Sequence, residues 1–332
     1  MRRRFFLLSA GAALGAAATR SLAQPTPAPK RVGGLYPGSG TASSFPRAFE
    51  SRLRELGWIE GRNLVFVNRS IEGDPNRYDA LARELAAEKV DVIHAVFSTA
   101  VRAARKAAPN TPIVFSIVGD PVADGLVASL ARPGGNITGA STRDTELYPK
   151  RIQLVRDMLP RAKRVGLLFD TPGPEGLEPR LKRSQQDLVE AGERLGLKID
   201  SHPIGSVADV GPAFDKMKRD GVDAVLAFIY FRLPGDDRKV LIEHAVRTRL
   251  PTVYVSTLWT EMGGLATYST NLTELGRRAA DYVDKILRGT KPADLPVEEP
   301  NAFELVINRK AASAIGLTIP QAVLLRADRV ID

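Results

Sequence analysis

The chain contains no cysteine. That excludes disulfides, thiol nucleophiles and thiolate metal ligands, and it excludes a lipid anchor of the kind attached to a cysteine behind a processed leader. Histidine is nearly as scarce: His94, His202 and His244 lie far apart, without the close spacing of a zinc site. No metal and no cofactor is therefore expected. Dinucleotide and nucleotide loops are missing too. Gly38-Ser39-Gly40 opens like a dinucleotide loop but lacks its third glycine, and no P-loop lysine pattern occurs. There is no G-x-S-x-G elbow to expose a serine nucleophile, so the chain does not read as an enzyme. Basic residues exceed acidic ones, 47 to 38, yet acids are interspersed among them, as in Arg52-Leu53-Arg54-Glu55. Such faces are solvated helix surfaces; with no aromatic-interleaved basic stripe, no nucleic-acid partner is expected.

What is present begins with an address. Arg2, Arg3 and Arg4 precede an apolar, alanine-rich stretch over 5–18, and Ser21-Leu22-Ala23 supplies small residues for cleavage. The apolar stretch is too short to span a bilayer. Residues 1–23 are thus expected to be an export signal, cleaved near Ala23, by a twin-arginine or a general secretory route. The protein is expected in the periplasm. The leader carries four arginines and no acid, so the remainder is only mildly basic.

The rest alternates between two periodicities. Short β-branched runs at 31–36, 64–69, 90–96, 113–118, 164–169, 198–203 and 224–228 read as strands. Helical spacing fills the intervals, as with Phe45, Phe49, Leu53 and Leu56 and over 78–87, 100–108, 180–195 and 209–220. Nearly all-apolar strands survive with both sheet faces covered, so the fold class is α/β with two doubly wound parallel sheets. The stretch TPIVFSIVGDPVADGLVASLARPGGNITG over 111–139 holds one whole unit. Its strand ends at Gly119-Asp120-Pro121, and Asp120 as cap with Pro121 in the first turn predicts a helix from there to about Leu130.

An internal echo points to duplicated lobes. KRVGGLY from Lys30 returns as KRVGLLF from Lys163, and VDVI from Val90 as VDAV from Val222, at offsets of 133 and 132 residues. The expected lobes are 30–138 plus 268–300 and 139–267 plus 301–332, with hinges near 138–141, 265–268 and 300–303. In open α/β sheets ligands lie beyond the carboxyl ends of the strands, and clefts between domains hold small molecules. The loops there offer Tyr36, Ser39, Phe97, Ser98, Thr99, Asp120, Thr171, Tyr230, Phe231, Trp259 and Glu261. Rings give contact area, hydroxyls and helix starts hold a carboxylate, and an acid holds an ammonium. Capping explains Asp120, Ser98 and Thr99 equally well, burial Trp259, and solvation Glu261.

LGWIEGRN at 56–63, GDPV at 119–122, GLVASLARPGGNITG at 125–139, FELVIN at 303–308 and GLTIP at 316–320 resemble the ABC-transporter substrate-binding family. The similarity extends over essentially the whole mature chain and is greatest to the branch with tryptophan- and tyrosine-binding proteins. The resemblance implies a two-lobed, type I periplasmic-binding fold whose cleft closes on a small molecule. It puts the family's Asp-Pro loop on Asp120 and Pro121, and its loop after the third strand, commonly Gly-Thr-Pro, on Phe97, Ser98 and Thr99. It implies a monomer that delivers a solute, favoured to be an aromatic or other amino acid, to an inner-membrane permease, with the permease's ATPase as an indirect partner. A sugar, nucleoside or aromatic carboxylate as ligand, a sensor serving a signalling receptor, and an exported α/β enzyme are the competing readings.

Overall fold

The computed structural model describes residues 28–38, 44–171, 178–230, 232–233, 235–301 and 303–332. The leader expected over 1–23, Ser39 and Phe231 lie outside the described residues.

In the first sheet, strands β1 (Lys30–Tyr36), β2 (Leu64–Ser70), β3 (Val92–Val96), β4 (Ile113–Val118) and β5 (Ile137–Ser141) run in the order β2-β1-β3-β4-β5, all parallel. Helices α1 (Ser44–Glu55), α2 (Tyr78–Ala87) and α3 (Ser98–Ala107) make its crossovers. In the second lobe, α4 (Tyr148–Met158), β6 (Arg164–Asp170), α5 (Glu178–Arg194), β7 (Lys198–Ile204), α6 (Val210–Arg219), β8 (Ala224–Phe228), α7 (Asp237–Thr248), β9 (Thr252–Tyr254), the short α8 (Thr257–Glu261) and β10 (Ala266–Thr270) follow in turn. The chain then returns to the first lobe with α9 (Leu272–Leu287) and ends in the second with β11 (Phe303–Asn308) and β12 (Arg329–Ile331). The second sheet reads β12-β11-β10-β9-β8-β6-β7, with β11 antiparallel to β10 and the other pairings parallel.

The two sheets repeat one another: β2-β1-β3-β4-β5 corresponds to β7-β6-β8-β9-β10. The sequence echo has a physical cause. Asp91 accepts from the Arg31 N–H at 2.8 Å, and Asp223 accepts from the Arg164 N–H at 2.9 Å. Each acid fastens the start of its lobe's first strand to the strand that will lie beside it.

Covering of both faces explains the apolar strands. Val32, Val92 and Val114 face Ala279, Ala280 and Val283 of α9 on one side of the first sheet, while Leu35, Ile93 and Phe115 pack against α2 and α3 on the other. Val165, Leu167 and Leu226 meet α4 and α5 in the second lobe, and Leu168, Val225 and Ala227 meet α6 and α7. At roughly 1.5–3 kcal/mol for each large apolar side chain fully buried, these layers hold the lobes.

The strands change lobes after β5, after β10 and before β11. The breaks expected at 138/139 and 267/268 fall inside β5 and β10. Crossing segments are tied to each other: Thr270 Oγ1 donates to Thr142 O at 2.9 Å, and Ser141 N–H to Glu298 O at 2.9 Å.

One expected helix does not form. After Asp120 the chain makes a single turn, in which Asp124 N–H donates to Asp120 O at 3.0 Å and Leu126 N–H to Pro121 O at 2.9 Å. Gly125 then adopts φ +64°, which no right-handed helix accommodates. The segment continues as loop, with Leu126 and Val127 buried against the first sheet's core.

Candidate functional site

The carboxyl ends of both sheets' strands border one cleft of about 390 Å³. That lies within the range of small-molecule sites, roughly 300–1,000 Å³. The first lobe contributes Tyr36 from the end of β1, Phe45, Phe49 and Glu50 from the start of α1, and Phe97 at the β3–α3 junction. The second lobe contributes Asp144, Phe228 and Tyr230, and Arg238 from the first turn of α7.

Tyr36 is fixed from behind. Its hydroxyl meets His94 Nδ1 at 3.1 Å, and His94 Nε2 meets Ser116 Oγ at 3.0 Å. The imidazole stacks on Phe49 at 4.4 Å and lies nearly parallel to Phe45 at 5.7 Å. Burial among rings pushes its pKa down to about 3, so a neutral imidazole, one donor and one acceptor, links the two hydroxyls. Gly34 makes room for this arrangement: a Cβ there would come within 2.3 Å of the Tyr36 ring and of Asn68 Oδ1.

On the opposite wall, Tyr230 donates its hydroxyl to Asp144, and its N–H to Asp170 at 2.7 Å. Burial, then the Asp144 charge, raises the Tyr230 pKa well above its ordinary value, so the phenol stays protonated. The Tyr230 ring meets Phe97 edge to face at 5.7 Å across the two lobes.

Two charged side chains in this cleft form no hydrogen bond or ion pair among the described residues. Glu50 is half-buried, and burial, followed by repulsion from Glu60, raises its carboxyl pKa. Arg238 is also half-buried; burial lowers its pKa against the attraction of Asp170. Each charge is thus partly desolvated, one on each lobe. The Ser269 hydroxyl, buried at the cleft wall, likewise has no partner among the described residues.

Of the residues expected from sequence, Tyr36, Phe97, Ser98, Thr99, Tyr230 and Trp259 border the cleft. Trp259 is 2% exposed and stacks on Tyr254 at 5.1 Å, so most of it serves the second lobe's core. Three expected residues do not border it. Asp120 Oδ1 accepts from the Ala123 N–H at 2.9 Å, closing its own turn. Glu261 reaches Arg329 at 3.5 Å. Thr171 gives its N–H to Ile204 O at 2.7 Å beside β7. Not among the expected residues are Phe45, Phe49, Glu50 and Arg238, which stand in helices beyond the strand-end loops, Asp144, in the segment after β5, and Phe228, the last residue of β8. Among the described residues no group of three or more His, Cys, Asp or Glu is placed to hold a metal ion.

Residues 46–331 match the family model of the ABC transporter substrate binding protein. The chain belongs to that family. As an ABC transporter substrate binding protein it is a solute-binding protein and not an enzyme. It is 25% identical over 271 residues to a tyrosine-binding protein of Clostridioides difficile, covering 82% of this chain and 76% of that one. Its fold is that of a conserved domain protein from Vibrio cholerae, with TM-score 0.80 and 28% identity over 91% of this chain and 99% of the other. A Streptococcus pneumoniae ABC domain in complex with L-Trp gives TM-score 0.79 at 24% identity, covering 92% and 100%. No described helix is long and apolar enough to cross a membrane.

Proposed function

We propose that this protein is the periplasmic receptor of an ABC importer, exported by its first 23 residues, and that it captures an aromatic α-amino acid between its lobes and hands it to an inner-membrane permease. One observation carries the reading. A ring-walled cleft holds a carboxylate on one lobe and a guanidinium on the other, neither ion-paired among the described residues. A zwitterion supplies each with a direct ion-pair partner. Arg238 receives the carboxylate through a forked, charge-assisted pair, Glu50 receives the ammonium, and Tyr36, Phe97, Phe228 and Tyr230 enclose the side chain. Because the two charges belong to different lobes, the bound solute draws the lobes together by hinge motion at the three crossing segments. The tyrosine-binding relative and the L-Trp-bound neighbour support the same ligand class.

The test is calorimetry with L-tryptophan, L-tyrosine and L-phenylalanine, beside native mass spectrometry of the purified protein and small-angle scattering. At least one amino acid should bind. At a hundredfold excess over Kd it should stabilise the fold by about 2.7 kcal/mol, and it should reduce the radius of gyration. No binding by any of the three, with no amino acid co-purifying, overturns the assignment; an unchanged radius at saturation overturns the hinge.

A further inference from the structure

Two apolar residues of the cleft stand in backbone conformations that favour glycine. Phe97, between β3 and α3, has φ 74° and ψ 151°. Ile117 has φ 56°, where the pairing of β4 with β5 slips between Ser116 and Val118. They are neighbours across the strands, for the Phe97 N–H donates to Ser116 O at 3.1 Å. The other described non-glycine residues with positive φ are Glu72, Lys89, Arg143 and Arg249, all polar or charged. A side chain at such angles is disfavoured, most of all a bulky or β-branched one, and bulges serve to re-aim side chains beside binding sites. Both residues border the cleft, and both pack in the cluster that includes Tyr36. Glycine would relieve the backbone at either place; a large apolar side chain stands there instead.

We propose that Phe97, seated beside Ile117, is the specificity-determining wall of the cleft, its ring setting the greatest length of aromatic solute that fits when Tyr230 of the other lobe approaches. The edge-to-face contact of the two rings marks where the cleft ends. The proposal rests on the aromatic-solute reading for its ligand, and its test separates the two.

The whole protein is compared with Phe97→Gly and Phe97→Ala. Calorimetry uses two pairs of probes, L-phenylalanine with L-4-phenylphenylalanine and benzoate with biphenyl-4-carboxylate; melting is recorded without any probe. Phe97→Gly should raise the affinity of the long member relative to the short one at least tenfold. It should also melt roughly 2–4 °C above Phe97→Ala, the reverse of the order at an ordinary position, where alanine is the more stabilising. A length ratio that stays within twofold for a pair that binds, or an alanine variant as stable as the glycine one, overturns the proposal. If no probe binds parent or variant, the amino-acid reading fails. The wall is then decided by the melting order together with the apolar dye 1-anilinonaphthalene-8-sulfonate, whose fluorescence must rise more with Phe97→Gly than with the parent.

Discussion

The guanidinium of Arg151 donates to the carboxylate of Asp144 at 2.6 Å, with the Arg151 side chain fully buried. The same guanidinium reaches Tyr268 O at 2.9 Å and Val255 O at 3.4 Å, while Asp144 also takes the Tyr230 hydroxyl. One side chain thereby joins the first crossing segment, strand β10 and the end of β9 to the cleft wall. Breaking a buried pair on one side leaves an uncompensated charge, so Arg151→Met should cost about 3–5 kcal/mol. The readout is a lowered urea midpoint at an unchanged slope. A loss below about 1 kcal/mol, the value of an exposed pair, would show that the junction is not held this way.

His94 gives the fold a defined acid sensitivity. Its folded pKa of about 3 lies below the unfolded value, so the unfolded chain binds the extra proton first and stability falls as pH drops through 6.5 toward 3. Between pH 7 and pH 5 this amounts to about 2 kcal/mol for a single such histidine. Glu50 and Glu304, whose carboxyl pKa values burial raises, act with the opposite sign. The comparison of parent with His94→Gln therefore isolates the imidazole: the variant should lose about 2 kcal/mol less over that interval. Equal losses by urea titration at the two pH values would contradict a buried neutral His94.

Arg238 and Glu50 separate from Asp120 by their place. Arg238→Gln and Glu50→Gln should each weaken amino-acid binding by about 2–5 kcal/mol, with the ligand-free melting temperature unchanged or raised, since each removes a partly desolvated charge. Asp120→Asn should leave calorimetric affinity within about twofold and cost at most about 1 kcal/mol of stability, as for a lost cap. Strong loss of binding by Asp120→Asn would return the ammonium site to that loop.

Strand and helix order was legible from sequence because periodicity encodes it directly: 78–87 for α2 and 113–118 for β4 coincide with the structure. Asp120-Pro121 misled because a cap and a first-turn proline begin a helix and a single turn alike; only Gly125 at φ +64° decides between them. The aromatic side of the site was half legible. Tyr36, Phe97 and Tyr230 follow strands, where ligand loops are sought, whereas Phe45 and Phe49 recur at helical spacing and read as core. Glu50 and Arg238 carried no local signal, because what marks them is the lack of an ion-pair partner among the described residues, a relation made only by folding.

Helix α9 comes near the end of the chain yet covers Val32, Val92 and Val114 near its beginning. During synthesis one face of the first lobe's sheet is therefore covered only in part, by Phe49 and Leu53 of α1, until about residue 287 has emerged, and the second lobe cannot add its outer strands before 303–331. Neither lobe matures alone. Completion of both lobes thus waits on residues 272–331, which hold the helix that covers the first sheet and the strands that finish the second. Cutting the gene at any of the three crossings would divide a lobe between two chains: after β5 or β10 the first sheet loses α9, and after β10 or before β11 the second loses β11 and β12.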